Sequence, residues 1–459
     1  MKIIIGGAGK VGFKLASFLS SLNNDITIID TNPDVIQRIN TELDANALCG
    51  SVSDPSTQEK AGARDAEIVI SLTPDDELNM VACQVAHSLF GVPRKMARIR
   101  NPIFKDPEWS NLFSRDHMPI DHIISPENEV AKAIRTQLRY VGMTGLTEIK
   151  DGDIHLLSLI CDETCPFLNT TLSQIPDLLP QSSFNVVAIN RNDKTIFPTG
   201  EDQLYAGDEI SILCPSEKTE DILIAFGHEQ SQCSHNIIVG GGNIGRSVIH
   251  EITTNAKNQS LTIIEKNPEV AEQLSKEYED VLIINGSGLN KKVIQEAKQP
   301  SRNNNIIVTT DDDETNILAP LLAQDNTDSH IVSLLNKDIY HDIMIKYPDI
   351  STVSPKGIVI RKILSHLQKG EVRSVHSSYD GEWQLYEVKI KKSSPHLNVS
   401  THDLALPKGL HLYGILREGE LILDTQHTIL KPDDRLFIAT KNATQSAIEK
   451  FFVPAYELI

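Results

Sequence analysis

The sequence predicts an α/β protein with two doubly wound parallel-sheet domains, each followed by a small α+β domain. Three observations carry this. Apolar runs alternate with amphipathic helical segments over short connections, the pattern of parallel strands joined by crossover helices. An apolar run leads into a glycine-rich turn twice, as "IIIGGAGKVG" at 3–12 and "IIVGGGNIG" at 237–245. The segments that follow the two turns repeat in the same order.

The repeat is dense enough to mark a duplication. Asp30 closes "ITIID" and Glu265 closes "LTIIE"; Asn32-Pro33 answers Asn267-Pro268. Next come "CGSVSD" (49–54) and "NGSGLN" (285–290), then "LTPDDELN" (72–79) and "TTDDDETN" (309–316), then "ISPEN" (124–128) and "VSPKG" (353–357). Residues 185–213 and 411–439 also correspond: strand, turn with Arg191 or Arg417, strand, then Gly207-Asp208 or Asp433-Asp434 before a last strand. The domains expected are 1–140, 141–228, 234–368 and 369–459, with polar junctions near 140–150, 225–234 and 368–378.

Taken in order, residues 2–6 read as a buried strand. Residues 10–22 read as a helix with Val11, Leu15, Phe18, Leu19 and Leu22 on one face. A strand at 25–30 precedes a helix at 33–41 opened by Pro33. A short strand at 46–49, a helix from Pro55 and a strand at 67–72 follow. The helix at 76–90 has Leu78, Val81, Ala82, Val85 and Leu89 as its apolar stripe. Strands at 96–99 and 121–124 complete the first domain, and the second repeats the order. The helix at 355–367, "PKGIVIRKILSHL", is apolar over more than one stripe, so it is buried on two sides. Either it packs against a second domain or it is wedged between its own domain and the small domain that follows.

"GAGKVG" (Gly7, Ala8, Gly9, Lys10, Val11, Gly12) and "GGGNIG" (Gly240, Gly241, Gly242, Asn243, Ile244, Gly245) both fit G-x-G-x-x-G. The motif alone is weak. Here each follows a strand, opens a helix and precedes an acid, Asp30 or Glu265, at the end of the next strand, which makes both domains Rossmann-like. The first glycine allows the tight turn, the second admits a pyrophosphate and the third lets helix and strand pack closely. The helix N-terminus attracts the anion. A carboxylate at 30 or 265 suits ribose hydroxyls and repels a 2′-phosphate, so NAD(H) is expected over NADP(H). The alternative for either loop is a glycine turn in an empty fold of this kind.

Thr73, Pro74, Thr310 and Asp311 follow the fourth strands and are expected beside the cofactor. Asp75, Asp76, Asp312 and Asp313 read mainly as helix caps. The halves differ at the fifth strand, "ARIRN" (97–101) against "VSLLN" (332–336). Arg98 and Arg100 alternate with Ile99 and so point to one side, where paired guanidiniums can grip phosphate; the partners are Ser333 and Leu335. The first domain could therefore bind a more highly phosphorylated nucleotide such as ATP. Two surface arginines are the plainer reading.

A net charge of -19 disfavours nucleic acid. No apolar stretch is long enough to cross a membrane, and the N-terminus lacks the apolar run of a signal peptide. The six cysteines (49, 83, 161, 165, 214, 233) are sparse, which suits a reducing compartment; "CDETC" (161–165) lacks the further ligands of a zinc site. The small domains share no His or Lys at matching positions, since His155 and His411 are not equivalent. That argues for nucleotide sensing over an NAD-dependent oxidoreductase with tandem Rossmann domains, which is the alternative.

"KIIIGGAGKVG", "NNDITIID", "DELNMVACQVAHSLF", "ARIR", "PIDHIISPE" and "IIVGGGNIG" together resemble the TrkA family, cytosolic regulatory subunits of bacterial Trk potassium-uptake systems built of tandem RCK ("regulator of K⁺ conductance") domains. The resemblance covers the whole chain. It implies Rossmann-like RCK N-terminal domains and small RCK C-terminal domains, NAD(H) as cofactor, and ATP/ADP as regulatory ligands gripped by Arg98 and Arg100. It further implies a homo-tetramer docked under a membrane-embedded Trk potassium channel subunit of the TrkH/TrkG type, at the cytoplasmic face of the inner membrane. The helix at 355–367 matches the family's crossover helix. The chain departs from the family's Asp near the adenine, having Ser51 and Ser287 there.

Overall fold

The computed structural model describes residues 1–21, 24–105, 107–114, 116–150, 152–179, 183–192, 194–228, 235–255, 259–299, 303–324, 329–344, 347, 350–367, 371–378, 382–425, 427–441 and 445–453. Leu22, Cys233, residues 229–234 of the junction expected at 225–234 and residues 368–370 of that expected at 368–378 lie outside them. The first unit runs β1 (Lys2–Gly6), α1 (Lys10–Ser21), β2 (Asp25–Asp30), α2 (Pro33–Glu42), β3 (Asn46–Cys49), α3 (Pro55–Lys60), β4 (Ile68–Ser71), α4 (Asp76–Phe90), β5 (Arg94–Arg98), β6 (His122–Ile124) and α5 (Pro126–Arg139). Then come β7 (Met143–Ile149), β8 (Ile154–Ile160), α6 (Ile175–Leu178), β9 (Asn185–Arg191), β10 (Lys194–Ile196), β11 (Glu209–Pro215) and α7 (Thr219–Ala225). The second half repeats the plan: β12 (His235–Val239), α8 (Asn243–Asn255), β13 (Ser260–Glu265), α9 (Pro268–Glu277), β14 (Leu282–Asn285), α10 (Lys291–Ala297), β15 (Asn304–Val308), α11 (Asp313–Ala323), β16 (His330–Leu334), α12 (His341–Met344), β17 (Ile350–Val353) and α13 (Pro355–Leu367). It closes with β18 (Val372–Ser377), β19 (Gln384–Lys389), β20 (Leu410–Arg417), β21 (Glu420–Ile422), β22 (Arg435–Thr440) and α14 (Gln445–Phe452).

Each large unit has a six-stranded parallel sheet, β3-β2-β1-β4-β5-β6 and β14-β13-β12-β15-β16-β17. The order reverses between β1 and β4, and between β12 and β15, which opens the crevice where such sheets bind ligands. Continuous apolar strands such as Ile3-Ile4-Ile5 are required because helices cover both faces. The smaller units are antiparallel sheets, β10-β9-β11-β8-β7 and β18-β19-β22-β20-β21. In each, the turn arginine forms a bidentate pair with a buried aspartate: Arg191 with Asp208 (2.7 Å for both bonds) and Arg417 with Asp434 (2.8 and 2.7 Å). The aligned arginines and acids thus lock the two sheet ends.

Two helical stripes differ from expectation. On α4 the buried face is Asn79, Met80, Ala82, Cys83 and Ala86, while Val81 and Leu89 are exposed. On α1 the buried residues are Leu15, Ala16 and Leu19, with Phe18 turned outward. On α4 small residues take much of the buried side, whereas on α1 the expected Leu15 and Leu19 stay buried and Ala16 takes the place beside them in the core. The fifth strand starts two residues earlier than expected, at Arg94, and ends at Arg98.

The crossover helices join the two halves. Val130, Ala131 and Ile134 of α5 enter the core of the second large unit with Val248, Ile249 and Ile252 of α8. In return Val359, Ile360, Ile363 and Leu367 of α13 enter the first unit's core with Ile3, Leu15 and Leu19. Of the two packings open for residues 355–367, the helix takes the one against the other large domain, here within the same chain. The small units share a core too, in which Leu156, Val187 and Leu213 meet Trp383, Leu385 and Phe437. Asn185 Nδ2 crosses that seam to the carbonyls of Tyr413 (2.7 Å) and Leu423 (2.9 Å).

At the end of α13, Arg94 donates to the Leu367 carbonyl (2.9 Å) and His366 stacks on His122 of β6, ring centres 3.9 Å apart. Burial pushes the His366 imidazole down to about 4, with His122 and Lys362 adding to it. Burial also lowers His122, against Asp121 and with Arg94 and Lys362. An unfolded histidine titrates near pH 6.5, so between that pH and about 4 the unfolded chain takes up protons that the folded pair refuses. Stability is therefore intact above pH 6.5 and falls as the pH drops towards 4. Circular-dichroism melts should show a falling midpoint from pH 7 to 5 with a shallower fall in His366→Gln; identical slopes would refute this account.

Candidate functional site

The two glycine loops do not form separate pockets. They open into one cleft of about 720 Å³ at the switch points of both sheets. Gly9, Lys10 and Val11 line one side; Gly242, Asn243 and Ile244 line the other. The N-termini of α1 and α8 therefore point into common space, each with the unpaired first-turn amides and positive dipole end that attract anions. Pro126, Glu127 and Val130 of α5 and Pro355, Lys356 and Val359 of α13 complete the lining.

The loop geometry follows from what glycine allows. Gly7 and Gly240 have φ of 90° and 104°, in the left-handed region. A methyl on Gly12 would sit 2.0 Å from the Gly7 carbonyl oxygen, and one on Gly245 2.1 Å from that of Gly240. A methyl on Gly9 or Gly242 would meet nothing within 4 Å. The space in front of the middle glycine is thus open in both loops, as a phosphate-binding turn requires.

The acids after the second strands hold the loops themselves. Asp30 accepts from the backbone N–H of Ala8 (2.7 Å) and of Asn32 (2.9 Å); Glu265 accepts from Gly241 (2.7 Å) and Asn267 (2.7 Å). Asp30 is half-buried and lines the cleft with Thr31 and Ser51, whereas Glu265 is buried behind its loop. Gly241 lies so close to Leu274 that an added methyl would come within 2.3 Å of it; the first loop has Ala8 there.

Thr73 and Pro74 line the cleft, as does Asp311; Thr310 sits in the equivalent turn. Two asparagines that neither the glycine fingerprint nor the capping pattern singles out hold these turns. Asn79, fully buried, accepts from the Thr73 amide (3.0 Å) and hydroxyl (2.7 Å) and donates to the carbonyls of Thr73 (3.0 Å) and Arg98 (2.9 Å). Asn316 does the same for Thr310, accepting at 3.1 and 2.7 Å and donating at 2.8 Å. Both asparagines end the matched octets at 72–79 and 309–316, so the repeat itself carried the signal. Capping accounts for Asp75 and Asp312, which accept from Leu78 and Thr315. It does not account for Asp76, which takes the amides of Arg100 (2.9 Å) and Asn101 (2.9 Å), nor for Asp313, which takes that of Asn336 (3.1 Å).

Arg98 and Arg100 both line the cleft, but not as successive residues of one strand. Arg98 is the last residue of β5, and Arg100 lies beyond it, fixed by Asp76. Nor are they unpaired surface arginines. Glu127, the second residue of α5, approaches Arg98 at 3.1 Å and Arg100 at 3.8 Å with the same carboxylate oxygen. Its counterpart in α13 is Lys356, so the duplication changes sign where it also loses the arginines. Among the described residues, no group of three or more His, Cys, Asp or Glu is arranged to hold a metal, and no helix is long and apolar enough to cross a membrane.

Comparison with known proteins agrees with this architecture. The TrkA-N domain family matches residues 3–126 and 236–354, and the TrkA-C domain family matches 156–227 and 385–453. The chain is similar to the Trk system potassium uptake protein TrkA of Azorhizobium caulinodans, 34% identical over 452 residues and covering 98% of both chains. It is similar also to that of Vibrio alginolyticus, 30% identical over 460 residues and covering 99% of both. Among solved structures, the GsuK RCK domain superposes with a TM-score of 0.60 at 17% identity, over 98% of this chain and 93% of that one. The GsuK channel bound to NAD gives 0.61 at 17%, over 98% and 78%. At such identity these two establish the fold. With paired parallel and antiparallel units, two fingerprint loops on one cleft and full-length relatives, the chain belongs to the TrkA family of Trk-system potassium uptake proteins, with tandem TrkA-N and TrkA-C domains.

Proposed function

We propose that the chain is a nucleotide-sensing gating subunit that controls potassium flux through a membrane-embedded Trk channel subunit of the TrkH/TrkG type. It acts as a homo-tetramer held at the cytoplasmic face of the inner membrane by that partner, and its role is regulatory rather than catalytic. NAD(H) is the ligand of the glycine loops, with Asp30 toward a ribose in the first unit. ATP and ADP compete at the first unit, where Arg98 and Arg100 take the terminal phosphate. The observation that carries this is the placement of the first loop's open glycine and both arginines on one cleft shared with the second unit. A ligand in that cleft touches both halves, and so can favour one relative arrangement by its differential affinity.

Arg98→Ala and Arg100→Ala test the reading by titration calorimetry on the full chain. A charge-assisted bond to phosphate contributes about 1.5–3 kcal/mol, so each change should weaken ATP by roughly 10- to 100-fold. NADH affinity should stay within about two-fold, since a pyrophosphate on the helix N-terminus does not need the arginines. Unchanged ATP affinity, or equal loss of both ligands, would refute the assignment.

A further inference from the structure

We propose that Glu127 is a built-in competitor for the nucleotide's terminal phosphate: without ligand it occupies Arg98 and Arg100, and a terminal phosphate binds by displacing it. This rests on the reading of Arg98 and Arg100 as the phosphate grip.

The geometry is that of a grip filled by a poor substitute. One carboxylate oxygen serves both guanidiniums, at 3.1 and 3.8 Å. The other oxygen, Oε2, is buried with no hydrogen-bond partner, as are Nε of Arg98 and Nε of Arg100. Three unsatisfied buried polar atoms at one point are uncommon in a folded protein and mark a place where a group is missing. A carboxylate offers two oxygens in one plane. A terminal phosphate offers three, spread in a tetrahedron, and can accept from both forks at once.

Charge makes the two occupants exclusive. Two guanidiniums and one carboxylate leave a net charge of +1. A terminal phosphate added beside Glu127 would set about three negative charges against two positive ones in a half-buried space. Glu127 must therefore leave. The second unit has no such device: its equivalents are Ser333, Leu335 and Lys356.

Displacement also has a route to the other half. Glu127 is the second residue of α5. Three residues on, Val130 lines the cleft, and with Ala131 and Ile134 it is buried against α8. A ligand ending in a terminal phosphate moves Glu127 and strains this seam. One whose phosphates are both internal, as in the bridging pyrophosphate of NADH, has no terminal phosphate to set against the arginines and leaves Glu127 in place. Glu127 thus sets how strongly the cleft separates ATP from NADH and decides when α5 is disturbed.

The test is calorimetry on the full chain with ATP, ADP and NADH for wild type, Glu127→Gln and Glu127→Asp, with thermal melts as a folding control. Glu127→Gln should bind ATP about ten-fold tighter or more, with NADH within about two-fold. Glu127→Asp keeps the charge but is too short to span both arginines, and should fall between. If Glu127→Gln binds ATP no better or more weakly than wild type, the side chain helps hold the ligand and the proposal is overturned. Failure of the grip itself is separately visible, as an Arg98→Ala chain that keeps its ATP affinity.

Discussion

Gly12→Ala and Gly9→Val both abolish nucleotide binding at the first unit, but only Gly12→Ala loses stability. The added methyl of Gly12→Ala falls 2.0 Å from the Gly7 carbonyl oxygen, which is backbone and cannot rotate away. The loop or the start of α1 must shift, at about 2 kcal/mol, the scale of overpacking in a tight site. Alanine's better helix propensity offsets at most about 1 kcal/mol of this. Gly9→Val places its Cβ where nothing lies within 4 Å, so the fold keeps its melting point while the branched side chain fills the phosphate space. Thermal melts separate the two, and calorimetry with NADH shows the shared loss. If Gly9→Val binds NADH as wild type does, the ligand does not lie on this turn.

Ile363→Asp should uncouple the two large units. Ile363 is fully buried in the first unit's core although it belongs to the second unit's terminal helix. An aspartate there must either be buried charged or be held neutral far above its ordinary pKa. The cost, about 4 kcal/mol or more, falls on the contact that joins the halves. Urea unfolding should then show two transitions in place of one, as the large units uncouple. Because the buried carboxyl prefers its neutral form, the damage is least in acid and grows as the pH rises past about 4. Ile363→Val, which keeps the shape, should cost about 1 kcal/mol. A single sharp transition for Ile363→Asp would mean that α13 is not what couples the halves.

Strand and helix order, the two fingerprint loops and the alternation of domains were legible in the chain because they depend on local pattern. Period, glycine spacing and capping asparagines act within a few residues. Helix faces were less legible: on α4 the large apolar Val81 and Leu89 face outward and the small Ala82, Cys83 and Ala86 face the sheet. Hydrophobicity alone ranks those residues the other way, and only close packing of helix on sheet reverses the order. The pair Asn79 and Asn316 stood in plain view at the end of a matched octet. An asparagine in a helix's first turn looks like surface until its amide is seen to tie two loops.

The duplicated loops also differ in ways no single position discloses. In the first unit Gly6 gives way to Val52, and a methyl on Gly6 would come within 2.5 Å of it. In the second, Val239 stands at the place of Gly6 and Gly288 at that of Val52, with the clash at 2.3 Å. Each pair fills the same volume from opposite sides, so only the sum is constrained. The same holds for the site. Arg98 and Arg100 stood out in the sequence, but β5 ends at Arg98, and it is Asp76, holding the Arg100 amide, that fixes the second arginine beside the first. That Glu127 stands against both follows from the pairing of β6 with β5, which starts α5 beside the arginines, and that both glycine loops face one cleft follows from two crossover helices each finding its core in the other unit. Such contacts join residues well separated in the chain, so they leave no period in it, and the fold alone brings them together.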